Sequence, residues 1–360
     1  MGIETNMKQY GLSEAIQKSA DHFSDWTVSR VILQEKGIYR LISSEGEKWG
    51  EISGRFHYDV QEKSEYPAVG DFVMADWNKS GGHAVIHRVL PRKSSFIRKA
   101  AGEKKEEQIV AANIDTIFLC MSMNNDYNLR RLERYLSIAW NSGAVPVVIL
   151  TKADLCEDPE SRLMEISSIA AGVDVLITNA VEKDGYQQIV PYISDGKTVA
   201  FIGSSGVGKS TLINCLLGEK YMDTNGLRND DKGRHTTTHR ELILLPSGGM
   251  VIDTPGMREL GMWDSGDGIH QTFSDIEKLA QSCRFRDCTH SESEPGCAVR
   301  EAIERGELSM DRFHSYLKLM NENHYIENTQ GYLVEKKQKL VEKKQKFKAI
   351  SKINKKNRKR

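Results

Sequence analysis

The sequence lacks several features that would assign it to a special class of protein. No apolar run approaches the ~20 residues of a membrane-spanning helix, and the first residues, MGIETNMKQYGL, contain no apolar signal-peptide core. Cysteine is scarce, at six in 360 residues, which excludes a disulfide scaffold and predicts reduced thiols. With 39% hydrophobic and 28% charged residues, the chain has the composition of a water-soluble globular protein, and we expect it in the cytoplasm.

The chain as a whole also has no net charge, but its positive and negative residues are unevenly distributed. Residues 331–360 contain 13 Lys and Arg against two Glu, so the preceding 330 residues are acidic. A basic tail on an acidic body suggests a polyanionic partner. A solvated tail without any target would have the same composition, and the two interpretations are about equally supported by charge alone.

The apolar pattern divides the chain into an all-β part and an alternating α/β part. Short strands are predicted at Thr27–Gln34, Ile38–Ser43, Lys48–Phe56, Val69–Trp77 and Ala84–Leu90. Five strands in this length predict a small barrel of the OB or SH3 type. From Ile109 onward, buried strands alternate with helices, which indicates a mostly parallel sheet covered on both faces. The predicted units are an extension (1–25), a barrel (26–97), a linker or mobile loop (98–108), an α/β domain (109–263), a helical module (264–330) and a basic tail (331–360).

A glycine-rich segment after a predicted strand fits the phosphate-loop pattern G-x4-G-K-[ST]. It consists of Gly203, Ser204, Ser205, Gly206, Val207, Gly208, Lys209, Ser210 and Thr211. Glycines let successive backbone N–H groups converge on phosphate oxygens, Lys209 supplies positive charge, and the Ser210 hydroxyl can bind Mg²⁺. The segment opens a predicted helix, which is the context that distinguishes this motif from a chance glycine-rich turn.

Further residues that suit phosphate chemistry follow the loop. Asp253 ends the predicted strand MVID and begins Asp-Thr-Pro-Gly, where the carboxylate can hold Mg²⁺ through water and the Gly256 amide can meet a γ-phosphate. Between the two motifs lies a run of three threonines, of which Thr237 is the candidate to complete the Mg²⁺ shell. Met257 follows Gly256, at a position where a glutamine could orient the attacking water, and methionine cannot do so. We therefore assign that role to His235, which lies beside the threonines. An exposed switch histidine without a catalytic role fits equally well.

Two segments after other buried strands are candidates for recognising the base. Thr151, Lys152, Ala153 and Asp154 form Thr-Lys-Ala-Asp after the apolar strand AVPVVIL, and Thr178, Asn179 and Ala180 follow the next strand. A buried Asp154 can accept hydrogen bonds from N1–H and the 2-amino group of guanine, donors that adenine lacks. The Lys152 stem can lie along the purine, and a backbone amide in 178–180 can reach O6. The pattern therefore favours GTP over ATP.

A cysteine cluster near the end of the chain has the composition of a metal site. Cys283, Cys288, His290 and Cys297 supply three thiolates and one imidazole within 15 residues. This ligand set and spacing are typical of a closed structural zinc site, which has no open position for catalysis. The polar segment around them offers little core of its own, so we expect the metal to hold its fold.

The order of the motifs carries a resemblance to a known family. In most small GTPases the phosphate loop precedes the base motif, whereas here 151–154 precede 203–211. Over nearly its whole length the chain resembles the circularly permuted RsgA-type GTPases of the bacterial small ribosomal subunit, including Glu294-Pro295 before the last zinc ligand. Two positions depart from the family pattern: Thr151 replaces a usual Asn, which would affect the contact to guanine N7, and Thr-Asn-Ala replaces a usual Ser-Ala.

The resemblance implies a multidomain α/β protein with three parts: an N-terminal five-stranded OB-like barrel, a central circularly permuted P-loop GTPase domain and a C-terminal helical zinc-binding module. It implies Mg²⁺ with GTP, one structural Zn²⁺, and the 30S subunit and 16S rRNA as partners. We expect a monomer without membrane contact that hydrolyses GTP to GDP and phosphate as a late assembly factor, with ribosome-stimulated turnover. The alternative is an RNA-binding adaptor whose site only senses nucleotide, and a transporter-type ATPase is disfavoured by Thr-Lys-Ala-Asp.

Overall fold

The fold combines a closed barrel, a mostly parallel sheet and a group of C-terminal helices. The structure is a computed structural model that describes residues 5–35, 37–77, 81–99, 107–124, 126–180, 182, 185–218, 240–253 and 266–327. Its strands are β1 (Thr27–Glu35), β2 (Ile38–Ser43), β3 (Gly46–Ile52), β4 (Phe72–Asp76), β5 (Ala84–Val89), β6 (Ser95–Lys99), β7 (Glu107–Ala112), β8 (Thr116–Ser122), β9 (Val145–Thr151), β10 (Asp174–Ile177), β11 (Thr198–Gly203), β12 (Arg240–Leu244) and β13 (Met250–Asp253). Its helices are α1 (Glu14–Ala20), α2 (Gly54–Asp59), α3 (Leu129–Ser142), α4 (Pro159–Ile169), α5 (Lys209–Leu217), α6 (Gly266–Thr272), α7 (Ser274–Ala280), α8 (Ala298–Glu304) and α9 (Met310–Glu327). Among these described helices, none has the length and apolarity to cross a membrane.

The first five strands form a closed barrel, as the sequence predicts. Their order is β1-β2-β3-β5-β4, and β4 pairs back onto β1. All these pairings are antiparallel except that β3 and β5 run parallel. Val31, Leu41 and Ile86 fill the barrel interior. Helix α1 packs on the outside, where Ile16 lies against Phe72, so the extension before the barrel is part of the barrel's packing.

Two predicted strands are shorter in the structure: β4 covers only Phe72–Asp76 of the predicted Val69–Trp77, and the other is the third strand of the barrel. We predict a strand at Lys48–Phe56, but β3 ends at Ile52 and α2 follows. The Ser53 side chain accepts a hydrogen bond from the Phe56 amide at 3.0 Å and thereby caps α2. A local bond between side chain and backbone therefore outweighs the strand preference of Phe56.

The predicted linker 98–108 is strand at both ends. β6 and β7 form a two-stranded antiparallel sheet in which Arg98 pairs with Gln108 and Lys99 with Glu107. The charged composition hides this hairpin because its buried apolar residues, Phe96 and Ile109, lie nearer the other end of the two strands. Residues 100–106 lie outside the described part of the chain.

The α/β part has strand order β10-β9-β8-β11-β13-β12. The first five of these strands run parallel and β12 is antiparallel, which confirms the prediction of a mostly parallel sheet. Alternate residues of β8 point to two different cores, with Ile117 and Leu119 on one face and Phe118 and Cys120 on the other. Because the strands are parallel, their carboxyl ends meet at one edge, which is where open α/β sheets bind ligands.

The barrel and the parallel sheet are joined by direct strand pairing and by one buried arginine. β12 pairs with β1 through Leu33–Glu241 and Gln34–Arg240. Beside this junction, Arg30 is only 1% exposed. Its Nε donates to Gly70 O (3.2 Å), its Nη1 to Tyr10 O (2.5 Å) and Met250 Sδ (3.3 Å), and its Nη2 to Asn113 O (3.4 Å) and Thr198 Oγ1 (2.8 Å). Burial lowers the pKa of Arg30 to about 10, so the guanidinium is charged at neutral pH and uses all five of its N–H groups.

The C-terminal helices are anchored on α3 by a second buried charge. Glu133 of α3 accepts from Arg312 of α9 at 2.9 Å and from Arg130 at 2.5 Å. Arg312 also makes two bonds of 2.7 and 2.8 Å to Asp275 of α7. Burial raises the pKa of the Glu133 carboxyl, which the two arginines oppose. The helical module thus rests on α3, whose first residues lie at the carboxyl edge of the sheet.

We predict that Arg30→Met lowers the free energy of unfolding by about 3–5 kcal/mol, because each buried acceptor left without a donor costs about 1–3 kcal/mol. Methionine keeps much of the apolar volume but leaves the carbonyls of Tyr10 and Asn113 without this donor, whereas the Gly70 carbonyl keeps the hydrogen bond from Asn113 Nδ2. Urea unfolding of the full chain measures the change. Arg40→Met is the matched control, because the Arg40–Glu47 pair is 42% and 41% exposed and should contribute less than about 1 kcal/mol. Equal losses in the two variants would contradict the role assigned to Arg30.

Candidate functional site

The phosphate-loop segment lies between β11 and α5 at the carboxyl edge of the sheet. β11 ends at Gly203 and α5 begins at Lys209, so the predicted strand, turn and helix are all present. Gly206 and Gly208 adopt φ of 73° and 111°, values that glycine tolerates without strain. The Lys209 Nζ donates to the carbonyls of Gly203 and Ser204, both at 2.7 Å. The amine is therefore held inside the loop.

The loop also packs directly against the neighbouring strand β8. A Cβ on Gly203 would lie 2.6 Å from the Cys120 carbonyl oxygen, so no larger residue fits there. Cys120 itself is buried, and burial raises the pKa of its thiol to about 12. A thiol with that pKa stays protonated, so Cys120 is a packing residue.

The first base-recognition segment follows β9 at the same edge. β9 ends at Thr151, Lys152 adopts φ 57°, and Ala153–Leu155 form a single 3-10 turn. Asp154 is exposed, whereas the sequence interpretation places it in a buried position. The reason is local: β9 ends at Thr151, and the turn Ala153–Leu155 carries Asp154 beyond the end of the strand.

The Thr151 side chain contacts the phosphate loop. Its hydroxyl donates to the Val207 carbonyl at 2.5 Å, and the residue is 4% exposed. A Cβ on Gly208 would lie 3.7 Å from the Thr151 Cβ, so the two segments are in close contact. We expected the replacement of Asn by Thr151 to affect the contact to guanine N7. In the structure this side chain links the base segment to the backbone of the phosphate-loop segment.

The second base-recognition segment packs against the helix that follows the phosphate loop. Thr178 is buried, and its amide donates to the Leu150 carbonyl at 2.8 Å. The Asn179 side chain donates to Glu182 at 2.8 Å, which shapes the loop rather than reaching the nucleotide side. The Ala180 carbonyl accepts from the Cys215 thiol of α5 at 3.9 Å. All three predicted binding segments therefore come together at one edge, although their order in the chain is permuted.

Several predicted residues lie outside the described residues. They are His235, Thr237 and Gly256, together with the basic tail 331–360. Asp253 is described as the last residue of β13, which runs beside β11. Its backbone thus ends at the same edge as the phosphate loop.

An acidic residue next to the phosphate loop was missed by the sequence analysis. The Ser204 hydroxyl donates to Oδ2 of Asp126, and Oδ1 of Asp126 accepts from Arg131 at 2.9 Å. Asn124 fixes the turn, because its Oδ1 accepts from the Asp126 amide at 3.0 Å and from the Ser122 hydroxyl at 2.8 Å. The available signal was polar residues directly after the buried strand β8, at the edge where parallel strands place their ligands.

The cysteine cluster is assembled as the spacing predicts. Ligand atoms of Cys283, Cys288, His290 and Cys297 all lie within 4.8 Å of one another. The two sulfurs of Cys283 and Cys297 are 3.9 Å apart, and the His290 Nδ1 is 3.7 and 3.4 Å from them. Tetrahedral zinc with its usual bond lengths requires separations of roughly 3.8 Å between sulfurs and 3.6 Å between sulfur and nitrogen. The residues therefore fit a zinc ion.

The loop that carries these ligands is braced by backbone contacts. The Arg284 amide donates to the Gly296 carbonyl at 3.0 Å, which closes the loop between the outer cysteines. His290 adopts φ 53°, and its carbonyl accepts from the Arg300 side chain of α8 at 2.7 Å. Cys297, buried at 2% exposure, is the N-cap residue directly before α8. The ligands are thus positioned by the helical module.

Comparison with known proteins gives a consistent result across three kinds of match. The family model described as RsgA GTPase matches residues 89–263. The chain is 47% identical to small ribosomal subunit biogenesis GTPase RsgA 2 of Lactiplantibacillus plantarum, over 89% of this chain and 90% of the relative. It is 45% identical to RsgA 1 of Oceanobacillus iheyensis, over 92% of this chain and 93% of the relative.

Two solved structures are also similar. YjeQ from Thermotoga maritima superposes with a TM-score of 0.61 at 27% identity, covering 82% of this chain and 98% of the other. YloQ, described as a circularly permuted GTPase, gives 0.60 at 26% identity, covering 86% and 98%. With the permuted order of phosphate and base segments at one edge of the sheet, these matches show that the chain belongs to the RsgA GTPase family of GTP hydrolases.

Proposed function

We propose that this protein binds GTP at the carboxyl edge of its parallel sheet, hydrolyses it to GDP and phosphate, and acts in biogenesis of the small ribosomal subunit. The main support is the contact between the Thr151 hydroxyl and the Val207 carbonyl, which joins the base segment to the phosphate loop. Two segments separated by about 50 residues thereby form one site. The names of the relatives supply the ribosomal part of the proposal.

The residues divide between phosphate, metal and water. Lys209 neutralises the β- and γ-phosphates, and the amides of 203–211 surround them. Ser210 binds the Mg²⁺ that accompanies GTP, with Asp253 acting through water and Thr237 as a further ligand. The Gly256 amide meets the γ-phosphate, and His235 orients the attacking water. These assignments follow from the motif positions. Mg²⁺ held by these residues would supply positive charge that offsets the negative charge of the transferred phosphoryl group.

Guanine recognition rests on the exposed turn after β9. The Asp154 carboxylate accepts from N1–H and the 2-amino group, and charge-assisted bonds of this kind are among the stronger ones in proteins. The Lys152 stem covers one face of the purine. An amide of Asn179 or Ala180 donates to O6, since this loop is held beside α5.

The C-terminal module holds one structural zinc ion through Cys283, Cys288, His290 and Cys297. All four positions are protein ligands, so the ion stabilises the loop and takes no part in GTP hydrolysis.

The chain is divided into the units predicted from the sequence, except that β6 and β7 replace part of the linker 98–108. The five-stranded Greek-key barrel is of OB type. We infer that barrel, module and basic tail contact 16S rRNA in the 30S subunit, and that the protein acts as a cytoplasmic monomer.

Turnover of GTP with and without purified small ribosomal subunits tests this proposal. We expect a slow intrinsic rate and a much faster rate with subunits. Lys209→Ala and Ser210→Ala should each reduce stimulated turnover on the order of 10²-fold or more, because they remove phosphate charge or a Mg²⁺ ligand. Ser167→Ala, at an exposed position of α4 outside the proposed rRNA-contacting units, is the control and should retain full turnover. No stimulation by subunits in the parent protein would contradict the ribosomal assignment, and no GTP hydrolysis would contradict the enzyme assignment.

We predict one equivalent of zinc in protein purified without chelator. Cys288→Ser should lose most of the metal and unfold the C-terminal loop, because the metal supplies much of its folding free energy. Metal analysis and proteolysis of the module measure both effects. Cys156→Ser removes a thiol outside the cluster and should keep the zinc. Equal zinc content in the two variants would show that the four residues do not bind the metal.

A further inference from the structure

A carboxylate lies where the polyphosphate of GTP would approach. Asp126 follows β8, and its carboxylate accepts a hydrogen bond from the hydroxyl of Ser204, the second residue of the phosphate loop. The Ser204 carbonyl is 2.7 Å from the Lys209 Nζ, so the loop that Asp126 contacts is also the one that holds the amine. An unpaired negative charge at this place would repel the phosphates of GTP. None of the phosphate-binding, Mg²⁺-binding or base-binding roles assigned above calls for a carboxylate here.

Arg131 supplies the missing compensation. Its Nη2 lies 2.9 Å from Asp126 Oδ1 and also donates to the Asp126 carbonyl. The two side chains are 30% and 37% exposed, so they remain close to the solvent from which a nucleotide arrives. Arg131 belongs to the first turn of α3, where Asn128 caps the helix by accepting from the Arg131 amide at 2.9 Å. The position of the guanidinium is thus fixed by the helix start.

We propose that Asp126 and Arg131 are a pair of positioning residues for the phosphate loop. The Asp126 carboxylate holds the Ser204 hydroxyl and so fixes the first part of the loop. The Arg131 guanidinium neutralises that carboxylate, which lets the phosphates of GTP approach. This inference rests on the proposed function, since it concerns GTP binding and turnover at the same site.

The charge part of the proposal predicts a reversal between a single and a double variant. Arg131→Ala leaves the carboxylate uncompensated and should weaken GTP binding at least fivefold. GDP should be affected less, and guanosine should be unaffected because it carries no phosphate. Adding Asp126→Asn to Arg131→Ala removes the uncompensated charge and should restore GTP affinity to within about threefold of the parent. Competition against a fluorescent guanine nucleotide measures all of these affinities.

The positioning part is tested in the background that lacks Arg131. Asp126→Asn and Asp126→Ala both remove the charge, but only asparagine can accept the hydrogen bond from Ser204. With Arg131→Ala present in both, we expect kcat of the alanine variant to be at least fivefold below that of the asparagine variant, with KM nearly equal. All of these rates are measured without ribosomal subunits, and Arg305→Ala, which breaks an exposed pair at the end of α8, is the control and should match the parent.

The outcomes separate this proposal from the function on which it rests. Failure of the parent to bind GTP would overturn the proposed function itself. If the parent binds GTP, but guanosine weakens as much as GTP in Arg131→Ala, the arginine has only a structural role and the charge part is wrong. If the double variant binds GTP no more tightly than Arg131→Ala alone, the charge part is wrong as well. Equal kcat for the asparagine and alanine variants overturns the positioning part.

Discussion

The nucleotide site depends on one short hydrogen bond between segments that are far apart in the chain. The Thr151 hydroxyl donates to the Val207 carbonyl, and this fixes the base segment relative to the phosphate loop. The bond is possible because β9 and β11 run parallel on either side of β8 and end at one edge. Chain order does not matter for such a site, since only the positions of strand ends determine which side chains meet. Circular permutation therefore preserves the chemistry.

Two buried charges hold the rest of the molecule around that edge. Arg30 satisfies carbonyls from the barrel, the extension and the parallel sheet, and Glu133 binds Arg312 from the C-terminal helices. Removing charge from water is costly, so removing one partner of such a buried pair is strongly destabilising. The barrel and the C-terminal helices are thus held at defined positions relative to the sheet.

The sequence was sufficient for those features whose residues are local in the chain. The barrel strands, the parallel sheet, the phosphate-loop turn and the four cysteine-cluster ligands follow from periodicity, glycine positions and ligand spacing. Features that depend on partners distant in sequence were not predictable. The contact of Asp126 with Ser204, 78 residues away, is one such feature. The exposure of Asp154 is instead a local effect of the turn that follows β9, which the apolar pattern of the strand does not reveal. Likewise, the strand character of Arg98 and Lys99 depends on pairing across the hairpin, which charge composition conceals.

The most direct test of the account is a titration of the parent protein and Asp154→Asn with GTP, ATP and XTP. If the base and phosphate segments form one site, the parent binds GTP far more tightly than ATP. The variant should lose GTP affinity, on the order of two charge-assisted bonds at about 1.5–3 kcal/mol each, and should prefer XTP because the added carbonyl of xanthine can accept from the new amide. Equal affinity of the parent for GTP and ATP would show that the turn after β9 does not read the base, and would contradict the account.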